Sequence, residues 1–277
     1  MKSKRQRMAD AAARLDALIC PVCGRKLEPA EGGFRCGAGH TVNANRKGYL
    51  YMLKRPFDTS AYGAALFDAR RRVFAAGAYA DVLAAVEGML PSGALKLLDA
   101  GCGEGYYLSG LLEGCEERTG AGIDISRDAI ERATEQPCEA LWIVGDVHAM
   151  PFRRAAFDVL LDVLTPANYA EFARVLHPDG LLVKVWPGQE YLRELRAARG
   201  MALYADDEVG PYLREHCEVM REERVHTAFP LTPELWRDFV YMTPLNQDLT
   251  ETDKEALAAK PQERMTIDLH AVCCRFR

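Results

Sequence analysis

Leu95-Lys96-Leu97-Leu98-Asp99-Ala100-Gly101-Cys102-Gly103-Glu104-Gly105 is the stretch that decides the fold. Its first half is an apolar run, the mark of a buried strand. Its second half places glycines at alternate positions, where the backbone can turn tightly and approach a ligand. Tyr106 to Leu112 continues as a helix, so Gly101 to Gly105 forms a strand-to-helix turn. In an open α/β sheet such a turn lies at a ligand site. The pattern is not the dinucleotide fingerprint, whose third Gly falls one residue later. Asp99, directly ahead of the first Gly, suits a cationic group better than a pyrophosphate.

Downstream, strands and helices alternate. A strand over Gly120 to Ile125 ends in Asp124, about twenty residues past the turn, where a carboxylate can accept from a ribose diol. Ser126 caps a helix over Arg127 to Thr134. A third strand, Leu141 to Val144, leads to Gly145-Asp146-Val147. There the acid can accept from an adenine amino group while a neighbouring amide serves the ring. A fourth strand runs from Phe157 to Leu164 and opens into Thr165-Pro166. A helix to Leu176 and a fifth strand, Leu181 to Trp186, follow. This alternation means a parallel sheet covered on both faces. Val219 to Ala228 and Met265 to Arg275 alternate enough to be further strands. His270 and Cys273-Cys274 read as packing residues.

Ahead of the sheet, Cys20-Pro21-Val22-Cys23 and Cys36-Gly37-Ala38-Gly39-His40 are spaced C-x2-C-x12-C-x3-H. Two thiolates on one turn and a Cys/His pair on another can meet one tetrahedral zinc ion. With Cys20, Cys23, Cys36 and His40 all used, no position stays open for a catalytic water. The metal, one per chain, is therefore structural, and it supplies folding energy that so small a module lacks. Thr41 to Tyr51 interleaves Arg46 and Lys47 with Tyr49 and Tyr51. That composition suits RNA contact, and it equally suits a small core. The resulting division is an N-terminal extension over 1–19 and a zinc-binding module over 20–54, whose RNA-recognition role is an expectation. A linker with helices follows over 55–92, and the catalytic domain spans 93–277.

Charge agrees with an RNA-facing front. The net charge is −5, yet residues 1–75 hold 15 Lys and Arg against 6 Asp and Glu. That is +9, which leaves −14 for the rest. A basic front on an acidic body is suited to a polyanion. No apolar run approaches a membrane span, and Met1-Lys2-Ser3-Lys4-Arg5 has no signal-type segment behind it, so the expectation is a cytoplasmic protein with no membrane partner. The cysteines are expected as thiols or metal ligands.

Taken with Lys47-Gly48-Tyr49, Ala69-Arg70-Arg71, Ala76-Gly77-Ala78-Tyr79, Leu98 to Tyr107, Pro187-Gly188 and Met242-Thr243-Pro244, the chain resembles the bacterial 23S ribosomal RNA guanine-N1 methyltransferases. These are class I, Rossmann-like enzymes dependent on S-adenosylmethionine (SAM), with an N-terminal zinc module. The resemblance implies zinc on Cys20, Cys23, Cys36 and His40. It also implies SAM contacts from Tyr79, Gly103, Glu104 and Tyr191. Asp99, Gly101, Gly105, Asp124, Asp146 and Val147 complete the expected cofactor set. The implied reaction is methyl transfer to N1 of a guanine in a 23S rRNA hairpin. A paired RNA-binding surface would suit a homodimer. Two alternatives remain at this point: methylation of a small molecule or another RNA, and a non-catalytic factor that binds SAM and RNA.

Overall fold

The computed structural model describes residues 2–55, 57–58, 63–205 and 208–277. The chain opens with helix α1 (Lys4–Leu15), whose N-cap Ser3 accepts from the Gln6 amide. Met8, Ala11, Ala12 and Leu15 are its buried residues, at the spacing of one helical face. Three short strands follow, β1 (Leu27–Ala30), β2 (Gly33–Cys36) and β3 (Thr41–Asn43), paired as an antiparallel sheet. Next come β4 (Leu50–Tyr51), α2 (Ala64–Ala75) and α3 (Ala80–Glu87).

The main body then alternates: β5 (Lys96–Ala100), α4 (Tyr106–Leu112), β6 (Thr119–Asp124), α5 (Arg127–Ala133), β7 (Ala140–Val144), β8 (Phe157–Val163), α6 (Tyr169–Val175) and β9 (Leu176–Pro187). It ends with α7 (Arg193–Ala198), α8 (Val209–His216), β10 (Cys217–Pro230), α9 (Pro233–Met242), α10 (Glu251–Ala258) and β11 (Arg264–Phe276). The large sheet has the order β10-β11-β9-β8-β5-β6-β7-β4. Its strands from β9 to β4 are parallel, and β11 and β10 are added antiparallel. This is the helix-covered parallel sheet expected from the alternation, and the class I, Rossmann-like fold that the resemblance implies. β5 through β7 are almost wholly buried because both faces carry helices.

Three local features differ from expectation. The sequence reads residues 1–19 as an extension, either a short helix or loosely ordered; α1 is that helix, and it packs across β6 and β7 as part of the core. The fifth strand is expected to begin at Leu181. β9 instead starts at Leu176, which pairs with Phe157, and His177 to Asp179 swell outward before Leu181 pairs with Val159. Finally, β4 lies in the stretch assigned to the zinc module but pairs with β7, Leu50 against Ile143 and Tyr51 against Val144. Tyr49, Leu50 and Met52 are buried, so this stretch is largely core. Part of the expected linker, at Pro56 and Thr59 to Tyr62, lies outside the described residues. Among the described residues, no helix is long and apolar enough to cross a membrane.

Candidate cofactor pocket and metal centre

The turn after β5 builds one wall of a cavity of about 520 Å³ at the carboxyl edge of the sheet. Gly101, Gly103 and Gly105 all have positive φ, at 78°, 54° and 81°. Such values favour glycine, and two of these positions also lack room for a side chain. A Cβ on Gly101 would lie 2.4 Å from Thr165 Oγ1, and one on Gly105 would lie 2.5 Å from the Trp142 ring. Of the ten residues assigned to the cofactor, Gly105 alone does not line the cavity. It acts through packing at the start of α4.

Three carboxyl groups give the cavity its character. Asp99 and Glu104 are 2% exposed, and Asp99 Oδ2 and Glu104 Oε1 have no hydrogen-bond partner among the described residues. Burial pushes Asp99 up to about 8, with Asp124, Glu104 and Asp162 adding repulsion. Burial likewise lifts Glu104 to about 7, against the pull of the Arg70 guanidinium. Asp124 is raised by burial too, although amides at Ser126 and Gly103 oppose the shift. Its Oδ2 accepts from the Gly103 amide at 2.9 Å and its Oδ1 from the Ser126 amide at 2.7 Å. A carboxylate has about four acceptor sites, so the group keeps capacity for a ligand hydroxyl. Asp99 and Glu104, shifted by burial towards the neutral form and carrying unused oxygens, favour a cationic ligand that would ionise them.

The rest of the wall is aromatic. Tyr79 and Tyr191 are both buried and share a hydroxyl–hydroxyl hydrogen bond of 2.7 Å. Burial pushes Tyr191 up to about 12. Phe74 stacks on Tyr106 with ring centroids 4.2 Å apart. Asp146 lies at the cavity wall, where its Oδ1 accepts from the His148 amide at 2.8 Å. Val147 lines the cavity beside it.

Several lining groups were not assigned from sequence. Arg70 enters from α2, with its Nη2 donating to the Met242 carbonyl at 3.0 Å. Its neighbours point elsewhere: Arg71 pairs with Glu135, and Arg72 makes a forked contact with Asp238 at 2.6–3.0 Å. Consecutive arginines cannot share a helix face, and that spacing was the available signal. Phe67, Phe74 and the Met242–Leu245 segment also reach the cavity through long-range contacts of α2 and α9.

These residues fit SAM. The unpaired carboxyl oxygens match a ligand carrying sulfonium and ammonium charges, and Asp124 matches a ribose diol. Arg70 brings a guanidinium to the cavity wall.

The second site is the predicted metal centre. The ligating atoms of Cys20, Cys23, Cys36 and His40 all lie within 4.8 Å of one another. Cys23 and Cys36 sulfurs are 3.7 Å apart, and His40 Nδ1 is 3.6 Å from Cys20 and 3.5 Å from Cys36. A tetrahedral zinc with bonds of about 2.3 Å to sulfur and 2.05 Å to nitrogen requires edges of about 3.8 and 3.6 Å. The cluster has that size and donor set. His270 stacks on Trp186, and Cys273 and Cys274 are buried, so these three remain packing residues.

Residues 97–180 match the family described as a methyltransferase domain. A 23S rRNA (guanine(748)-N(1))-methyltransferase of Streptomyces fradiae is 30% identical over 269 residues, covering 93% of this chain and 96% of the relative. YxjB of Bacillus subtilis (strain 168), provisionally named a 23S rRNA (guanine-N(1)-)-methyltransferase, is 40% identical over 188 residues, covering 64% of this chain and 66% of the relative. A solved SAM-dependent methyltransferase of Thiobacillus denitrificans, in complex with S-adenosyl-L-homocysteine, covers 70% of this chain and 90% of that one at 17% identity and a TM-score of 0.48. With a glycine turn, an acid-lined cavity and a Cys3His cluster in one chain, and a relative matched along almost its full length, the protein belongs to the 23S rRNA (guanine-N1)-methyltransferase family.

Proposed function

We propose that the chain transfers a methyl group from SAM to N1 of a guanine in a hairpin of 23S rRNA, in the cytoplasm. The acid-lined cavity at the carboxyl edge of the sheet carries this reading. The Streptomyces fradiae relative, named for N1 of a guanine, supports the target atom. Bound SAM supplies an electrophilic methyl group on a sulfonium centre. The chain's own part is to bind, orient and exclude water. Asp99 and Glu104 hold the positive end of the cofactor, and Arg70 holds its carboxylate. Asp124 takes the ribose hydroxyls, while Asp146 and Val147 meet the adenine. Tyr79 and Tyr191 close the wall beside the methionine end. Phe57, 48% exposed and lining the cavity, and the Phe74–Tyr106 stack offer flat faces for an unpaired base.

The zinc module and its flanks supply the RNA-binding front. A homodimer would set two such fronts side by side, and sedimentation velocity reads that part of the proposal. The deciding experiment is mass spectrometry of 23S rRNA from cells with and without the gene. It is paired with transfer of labelled methyl from SAM to a hairpin transcript. One N1-methylguanine present only with the gene is the expected result. Identical modification in both strains, with no label on the transcript, would overturn the proposal.

A further inference from the structure

Asp162 on β8 and Lys184 on β9 stand opposite each other in the parallel register of these neighbouring inner strands. Lys184 Nζ lies 2.8 Å from Asp162 Oδ2, with the side chains 6% and 0% exposed. Alternation along the strands puts them on the sheet face that also carries buried Leu160, Leu182 and Trp186. An ion pair in such a place loses hydration, and apolar replacements of similar volume are often no less stable. Stability alone therefore gives no reason for this pair. The ammonium has a second bond, to the main-chain carbonyl of Thr165 at 2.5 Å.

That carbonyl belongs to the loop leaving β8. Leu164 there has φ 57°, a left-handed conformation that strains a residue with a Cβ. Its amide donates to Val185 O at 3.0 Å. Thr165 is wedged against Gly101, with its hydroxyl donating to the Gly101 carbonyl at 3.4 Å. Val163, Leu164, Thr165 and Pro166 all line the cavity. A strained loop at the cavity wall is thus tied from beneath by a buried charge.

We propose that Lys184 is a positioning residue for methyl transfer, which holds the Leu164–Pro166 loop at the cavity wall through Asp162 and the Thr165 carbonyl. The inference rests on the function proposed above. Two variants test it. Lys184→Met removes the ammonium, and Lys184→Met combined with Asp162→Asn also removes the carboxylate left unpaired. The double variant should melt close to the wild type. A loop displaced by an ångström can slow a reaction about a hundredfold. Its kcat on a 23S rRNA hairpin transcript should therefore fall at least about tenfold, while SAM affinity changes by less than about threefold. Independently of activity, the amides of Leu164, Thr165 and Ala167 should exchange hydrogen faster in the double variant without SAM. Wild-type kcat in a folded variant, or unchanged exchange, would overturn the positioning role. If the wild-type protein methylates no such transcript, the proposed function fails, and the exchange measurement still decides the tether.

Discussion

The Asp124 carboxylate and the Gly103 amide are joined by a hydrogen bond of 2.9 Å, so the acid that ends β6 also shapes the glycine turn after β5. One side chain serves the fold of the turn and faces the cavity. Asp124→Ala therefore removes the ribose acceptor and also frees two amides. A hydrogen bond to a charged group contributes roughly 1.5–3 kcal/mol, so SAM should bind about ten- to a hundredfold more weakly. Calorimetry that gives an unchanged affinity would move the ribose to another residue.

Asp99 at about 8 and Glu104 at about 7 hold protons that the unfolded chain would release. Their raised values mean that the folded state binds more protons between their ordinary and folded values. By linkage, stability without SAM falls as pH rises from about 4 to 8. A cationic ligand lowers both values and expels protons. SAM titrated at pH 7 should accordingly release protons, seen as different heats in buffers of different ionisation enthalpy. The melting temperature without SAM should decline from pH 5 to pH 8, and saturating SAM should shrink that decline. Equal heats in both buffers would mean that the acids are already ionised.

Cys23 is exposed, whereas Cys20 and Cys36 are buried. Cys23→Ala therefore tests the metal site without carving the core. Zinc content measured by mass spectrometry should fall from one per chain towards zero, and melting should come earlier. Full zinc in this variant would remove Cys23 from the ligand set.

Lys47 does not stand free beside the knuckles: its ammonium lies 2.5 Å from Glu131 on α5, which also receives the Tyr49 hydroxyl and Arg127. Arg46, by contrast, is exposed and makes no hydrogen bond or ion pair among the described residues. Lys47→Ala should change stability by no more than about 1 kcal/mol, because Lys47 itself is exposed and Arg127 and the Tyr49 hydroxyl still hold Glu131. Replacing both residues with Ala should then flatten the salt dependence of RNA binding by about one phosphate contact rather than two. A titration of a ribosomal RNA hairpin at several salt concentrations reads the slope, and a loss of two contacts would return Lys47 to the RNA surface.

The glycine turn, the Ser126 cap, the strands from β5 to β8 and the four metal ligands were legible because each rests on local spacing. β4 was not, since two residues carry no period, and its partner β7 lies ninety residues on. Arg70, Phe67 and Met242 reach the cavity through α2 and α9, whose packing no local pattern records. Lys184 left a clue. It is a lone charge inside Leu181-Leu182-Val183-Lys184-Val185-Trp186, and a charge in a buried run requires a partner. Asp162 on the neighbouring strand is that partner, but strand order has to be known before the two can be matched.

The pairing of β4 with β7 has a meaning for the solution behaviour of the chain. A bare outer strand is a template for other chains. On one side of the sheet, β10 answers this with Glu218, Arg221, Glu222, Glu223 and Arg224, a charged rim that repels a neighbour. On the other side β7 is wholly apolar, Ala140 to Val144, and its outer groups are met by Leu50, Tyr51 and the Met52 amide. That cover follows directly from the metal-held segment. If zinc orders the segment that leads into β4, its removal would uncover this edge. Chelation of the metal should raise light scattering with time. Scattering that stays flat after complete removal of zinc would show that β4 keeps its place without the metal.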